Sequence, residues 1–121
     1  MILVDTSVWV DHLRKGDRAL ERLLQMGEVL CHPFIVGEIA MGSLKNRSVL
    51  DAMQRLPKPL FARDDEVLRF IGQRKLFGLG IGYIDAHLLT SVQITPGALL
   101  WTRDKRLHAL ATAMALASEK S

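Results

Sequence analysis

A chain of 121 residues has room for one domain with a sizeable core, and 49% hydrophobic against 24% charged residues excludes a disordered chain. A net charge of +3 permits a phosphate-rich partner without requiring one, and the charge is spread along the chain with no basic tail. The single cysteine, Cys31, excludes an internal disulfide and a Cys-x-x-Cys metal site, and it reads as a small buried hydrophobe. No apolar stretch reaches the roughly 18 residues of a membrane span, and no basic region precedes the apolar N-terminus as in a signal peptide. A soluble, cytoplasmic protein with no membrane contact is the expectation.

In chain order, Ile2, Leu3 and Val4 read as a short buried parallel strand. Thr6 or Ser7 is placed to cap a helix through Arg14, with Gly16 as its stop. Asp17 caps a second helix, DRALERLLQM, that gathers Leu20, Leu23 and Leu24 on one face and ends at Gly27. EVLC is a second strand. Pro33 fits the first turn of the helix PFIVGEIAMGS. Asn46 caps NRSVLDAMQRL, which stops before Pro57 and Pro59. A small strand is expected over residues 60–62. Asp64 or Asp65 opens DEVLRFIGQRKLF, with Val67, Leu68 and Ile71 inward. GLGIG breaks the chain, YIDAHLLTSVQI forms a helix, and Thr95-Pro96-Gly97 is a turn. ALLWT is the last strand, and Asp104 precedes the closing helix KRLHALATAMAL. Short apolar strands alternating with helices point to an α/β sandwich around a parallel sheet.

Four of the 13 acids do not fit this scheme easily. Asp5 ends the first buried strand, where an isolated carboxylate costs several kcal/mol. Asp104 has the same relation to the last strand, at the edge where α/β sheets bind ligands, although it is also a helix cap. At helical spacing Glu38 shares a face with Ile35, Ile39 and Gly42, and Asp85 shares one with Ile81, Ile84, Leu88, Leu89 and Val92. Glu38 has an ordinary alternative as a surface acid paired with a base. If the four converge, they repel and raise one another's pKa unless a cation lies between them. The set contains only oxygen donors, which suits Mg²⁺ or Mn²⁺ rather than zinc.

VDTSVWVDHL, GEIAMG, YIDAHLL and LLWTRDKRL, in that order across nearly the whole chain, resemble a PIN domain of the VapC type from bacterial toxin–antitoxin pairs. The resemblance implies one PIN domain over residues 1–121, a three-layer α/β/α sandwich with a central parallel sheet of four to five strands. It implies a metal-dependent endoribonuclease that cuts structured RNA and inhibits translation. Asp5, Glu38, Asp85 and Asp104 are then the metal-binding acids, and Thr6 and Ser7 the hydroxyls beside the first of them. The divalent ion would acidify a water for in-line attack on phosphorus, leaving a 5′-phosphate and a 3′-hydroxyl. A VapB-type antitoxin inserted into the cleft and a homodimer belong to the same expectation. Arg103, Lys105 and Arg106, then Arg14 and Lys15, are the candidate phosphate-binding cations. Tyr83 is a candidate for base stacking, whereas Trp9 and Trp101 read as core. Two alternatives stand beside this reading. One is a catalytically weak or inactive PIN domain that binds RNA or protein. The other is a haloacid-dehalogenase-like phosphatase, whose second Asp is here replaced by Ser7.

Overall fold

The structure, a computed structural model, describes residues 1–118. The chain runs β1 (Ile2–Val4), α1 (Thr6–Lys15), α2 (Arg18–Gln25), β2 (Val29–Leu30), α3 (Pro33–Ala40), α4 (Ser48–Gln54), α5 (Asp64–Arg74), α6 (Tyr83–Ile94), β3 (Leu99–Trp101) and α7 (Lys105–Ala113). The strands pair in the order β2-β1-β3, both pairings parallel, with Leu3 opposite Leu30 on one side and Leu100 on the other. Leu3, Val4, Val29, Leu30, Leu100 and Trp101 are all buried, which is why the strands are continuous apolar runs rather than alternating ones.

The sheet of the described residues has three strands, not the four to five expected. Residues 60–62 do not form one: Leu60 and Phe61 are 55% and 52% exposed, and the Leu60 N–H donates to the Thr95 hydroxyl at 2.9 Å instead of a ladder. Beyond β2, among the described residues, the edge meets only the Pro57 carbonyl, which accepts from the Cys31 N–H at 2.8 Å. Beyond β3, among the described residues, a single parallel bridge joins Leu100 to Ala117. The prolines that flank residue 58 explain the first edge, because they cannot donate to a ladder.

Around the sheet, α1 packs on α3, α3 on α4, and α5 on α6, while α6 also packs on β3. Every residue of α6 from Ala86 to Val92 is buried, so this helix is enclosed on all sides and needs no polar face. In α5 the inward residues are Val67 and Phe70; Leu68, expected inward, is 63% exposed. Asp17 caps α2 as expected, its side chain accepting from the Leu20 N–H at 3.0 Å. The cap of α1 differs. Asp5 occupies the N-cap position without a side-chain cap bond, and the hydroxyls of Thr6 and Ser7 turn to other partners.

Because the strands are parallel, their carboxyl ends share one edge. That edge carries Asp5 after β1, His32 after β2, and Thr102 to Asp104 after β3. The N-termini of α1, α3 and α7 begin there too, so orphan backbone donors and strand-end side chains meet in one place.

Candidate active site

Asp5 is fixed by the sheet itself. Its N–H continues the ladder by donating to the Trp101 carbonyl at 2.9 Å, and the residue is only 6% exposed. Two hydroxyls donate to its Oδ2, from Thr102 at 2.7 Å and from Ser7 at 2.8 Å. Thr102 is itself buried and accepts from the Asp104 N–H at 3.1 Å, so one threonine ties the ends of β1 and β3 together. Ser7 in turn accepts from the Arg103 N–H at 3.0 Å. These bonds are what offset the cost of burying a carboxylate without a cation.

The other three acids come from helix starts and a helix face. Asp104 is the N-cap of α7, its Oδ1 accepting from the Leu107 N–H at 2.9 Å. Asp85, in the first turn of α6, accepts from the Gly82 N–H through Oδ2 at 3.2 Å. Glu38, on the exposed side of α3, accepts from the Thr6 hydroxyl through Oε1 at 2.6 Å. Burial is the main force that raises the Asp85 pKa, and the charges of Asp5, Asp104 and Glu38 push the same way; the Gly82 hydrogen bond opposes them and loses. Asp85 therefore lies near enough to the other three acids singled out in the sequence to feel the charge of each.

Each of the four spends one oxygen on a protein donor. Among the described residues the second oxygen of each takes no protein hydrogen bond, and none of the four has an ion-pair partner. These are hard, anionic oxygens left without a protein donor, the chemistry that suits a hard divalent cation. No three His, Cys, Asp or Glu side chains of the described residues stand close enough to enclose an ion. A Mg²⁺ ion held by one or two carboxylates and several waters does not require such a cage.

The cations fall into two groups. Arg103 is committed: its guanidinium donates to Asp11 at 2.7 Å and to Asp17, and lies over the Trp101 ring at 5.4 Å. Arg106 covers the loop before α6, its Nη1 3.5 Å from the Gly80 carbonyl; Gly80 has φ +82°, and a Cβ there would collide with the guanidinium. Lys105, Arg14 and Lys15 are exposed and have no ion-pair partner among the described residues. Arg14 also lines, with Glu38, Val10, Leu13, Ile39 and Val49, a groove of about 540 Å³. Trp9 and Trp101 are core residues, 3% and 1% exposed, and Tyr83 is exposed, all as expected. Cys31 is buried, and its thiol pKa is pushed up to about 11 by that burial, so it is a hydrophobe.

Sequence reasoning did not single out Thr102 or the partners of Arg103. A polar residue closing an apolar strand, in register with Asp5, was the available signal for Thr102.

The PIN domain family model matches residues 2–113 of the chain. Two curated relatives, each named Ribonuclease VapC32 and found in the CDC 1551 / Oshkosh and H37Rv strains of Mycobacterium tuberculosis, are 51% identical over 124 aligned positions covering all of this chain and all of theirs. The chain belongs to the PIN domain family. Within it, the full-length identity places this PIN domain with the VapC proteins. The phosphatase alternative falls with that result, and Ser7, bonded to Asp5, stands where such an enzyme needs its second acid.

Proposed function

We propose that the protein is a VapC-type toxin, an endoribonuclease that hydrolyses phosphodiester bonds in structured RNA with a divalent cation, Mg²⁺ or Mn²⁺, and so inhibits translation. The observation that carries this reading is the set of four acids, each with one oxygen held by a protein donor, three of which act electrostatically on the fourth, Asp85. The name borne by the 51% identical relatives supports the same reading.

Asp5 and Asp85 are the strongest candidate metal ligands, with Glu38 and Asp104 completing the set. When bound, the divalent ion supplies Lewis acidity to the scissile phosphate and acidity to a water. The chain's own residues do the rest. Ser7 and Thr102 lock the Asp5 carboxylate, and Thr6 holds Glu38 across the gap between α1 and α3. Lys105, next to Asp104, and Arg14 and Lys15, at the end of α1, draw the phosphate backbone toward acids that would otherwise repel it. Arg103 serves by positioning, since its backbone N–H orders Ser7 while its guanidinium braces α1 against the start of α2. The apolar floor and charged rim of the groove beside Glu38 suit an inserted segment of a VapB-type antitoxin. A homodimer in the cytoplasm completes the proposal.

The test is cleavage of total bacterial RNA by purified, antitoxin-free protein with Mg²⁺, Mn²⁺ or EDTA, beside Asp5→Asn. Discrete fragments with 5′-phosphates that disappear with EDTA and with Asp5→Asn are the expected result. Intact RNA in every lane from folded protein would favour a binding-only PIN domain. Cleavage surviving both controls would place the chemistry elsewhere.

A further inference from the structure

Five rings form a continuous chain at the rim of the candidate site. Phe61 meets His32 at 5.4 Å between centroids, His32 meets Phe34 at 4.8 Å, Phe34 meets His87 at 5.0 Å, and His87 meets Tyr83 at 4.8 Å. The two histidines are buried, each 3% exposed, whereas Phe34, Phe61 and Tyr83 are 39%, 52% and 47% exposed. Three open aromatic faces are thus mounted on two enclosed imidazoles. The mounts are hydrogen-bonded. His32 accepts from the Phe34 N–H through Nδ1 at 3.0 Å. Tyr83 Oη and His87 Nε2 both reach Oδ1 of Asp64 at 3.2 Å. Burial, with the nearby His87, lowers the His32 pKa to about 4, so that ring is neutral at physiological pH.

Exposed aromatic faces held in place cost free energy in water, and folding alone does not require them. Their position gives them a use. Phe34 lies one helical turn before Glu38 on the same side of α3. The row therefore reaches the acids at Phe34, beside Glu38. Lys58, whose Nζ donates to the Gln54 carbonyl at 2.7 Å, adds a positive charge near Cys31, the neighbour of His32 in the chain. Rings beside a phosphate-handling site, with a cation nearby, match the chemistry of unpaired nucleobases, whose faces stack on Phe and Tyr and whose phosphates seek Lys.

We propose that Phe34, Phe61 and Tyr83 form a stacking surface for unpaired bases of the RNA next to the bond that is cut. This rests on the ribonuclease reading of the acidic site. Aromatic stacking tolerates every base, so the surface selects unpaired over duplex RNA rather than one sequence.

The test uses the full chain carrying Asp5→Asn, a single-stranded oligouridine with one internal 2-aminopurine, and Mg²⁺. Binding is read by anisotropy and stacking by quenching of the 2-aminopurine. The parent is expected to bind and quench. Phe34→Leu and Tyr83→Leu keep apolar bulk over the histidines but remove the ring, and each should weaken binding about five- to a hundredfold and lose the quench. Phe34→Tyr should retain both, and Met26→Ala, exposed at the end of α2, should change neither. Binding without quenching, or leucine variants that are folded by circular dichroism and bind as the parent does, would overturn the stacking surface while leaving the ribonuclease reading intact. Failure of the Asp5→Asn parent to bind, together with failure of the unmutated chain to cleave RNA, would overturn both. Self-association lost in Phe34→Leu, with RNA binding unchanged, would make the row a protein contact instead.

Discussion

Two neighbourhoods of carboxylates lie on either side of Ser7 and are built in opposite ways. Asp11 and Asp17 share the guanidinium of Arg103, whose hydrogen bond holds the Asp17 pKa below its ordinary value. Asp5, Glu38, Asp85 and Asp104 share nothing positive among the described residues, and Asp85 is held above its ordinary value by burial and by the other three. The same side-chain chemistry braces the fold where a cation is built in and stores repulsion where none is. Of the two, the second neighbourhood is the one whose repulsion a divalent ion would relieve.

Breaking the unpaired cluster should give the largest effect. Asp85→Asn is expected to reduce RNA cleavage at least about a hundredfold, because it removes a charged oxygen donor from a site whose chemistry is electrostatic. Its stability should move the other way. A carboxyl whose folded pKa lies above 3.8 binds protons more tightly in the folded chain, so it destabilises the fold increasingly as pH rises through that interval. In EDTA at neutral pH, Asp85→Asn should therefore melt higher than the parent. Added Mg²⁺ should stabilise the parent, by about 2.7 kcal/mol at a hundredfold excess over its Kd, and the variant much less. Equal melting points in EDTA would mean that the cluster carries no stored repulsion.

Breaking the paired cluster should cost stability instead. Arg103→Ala leaves Asp11 and Asp17 without their cation and uncovers Trp101, an expected loss of about 2 kcal/mol in urea unfolding. The sign with pH is again diagnostic. The lowered Asp17 pKa contributes stability above 3.8 that is lost as pH falls through the folded value, and Arg103→Ala should remove that part of the acid sensitivity. An unchanged acid profile would mean that the guanidinium does not hold the pair in solution.

The smallest effect should come from the residue that links the strands. Thr102→Val removes one hydroxyl from Asp5 and one acceptor from the Asp104 N–H. About tenfold slower cleavage and about 1 kcal/mol lower stability are expected, with RNA affinity unchanged. A loss in RNA affinity rather than in turnover would assign Thr102 to binding.

Much of this was legible in the chain. Asp5 and Asp85 stood out because a charge interrupts an apolar strand or helical stripe, and that cost is local. Helix α6 was bounded at both ends by Gly82 and the Thr95-Pro96-Gly97 turn, signals that act within a few residues. The strand over residues 60–62 was misread because an apolar pair after Pro59 looks the same in a ladder and on a surface; only the Thr95 hydroxyl, 35 residues away, decided it. Arg103 was read as a phosphate ligand because it flanks Asp104, and nothing in its immediate sequence announced Asp11 and Asp17.

The sequence by itself determined the element types, the parallel α/β class and the acids that have no comfortable place in them, because periodicity, caps and the cost of a buried charge are properties of short segments. Only the tertiary structure decided which acids are paired and which are not, that Thr102 joins two strand ends, and that five rings from α3, α6 and two strand-edge segments form one row. Those facts depend on contacts between residues up to 97 positions apart, and such contacts exist only once the three strands have aligned their carboxyl ends.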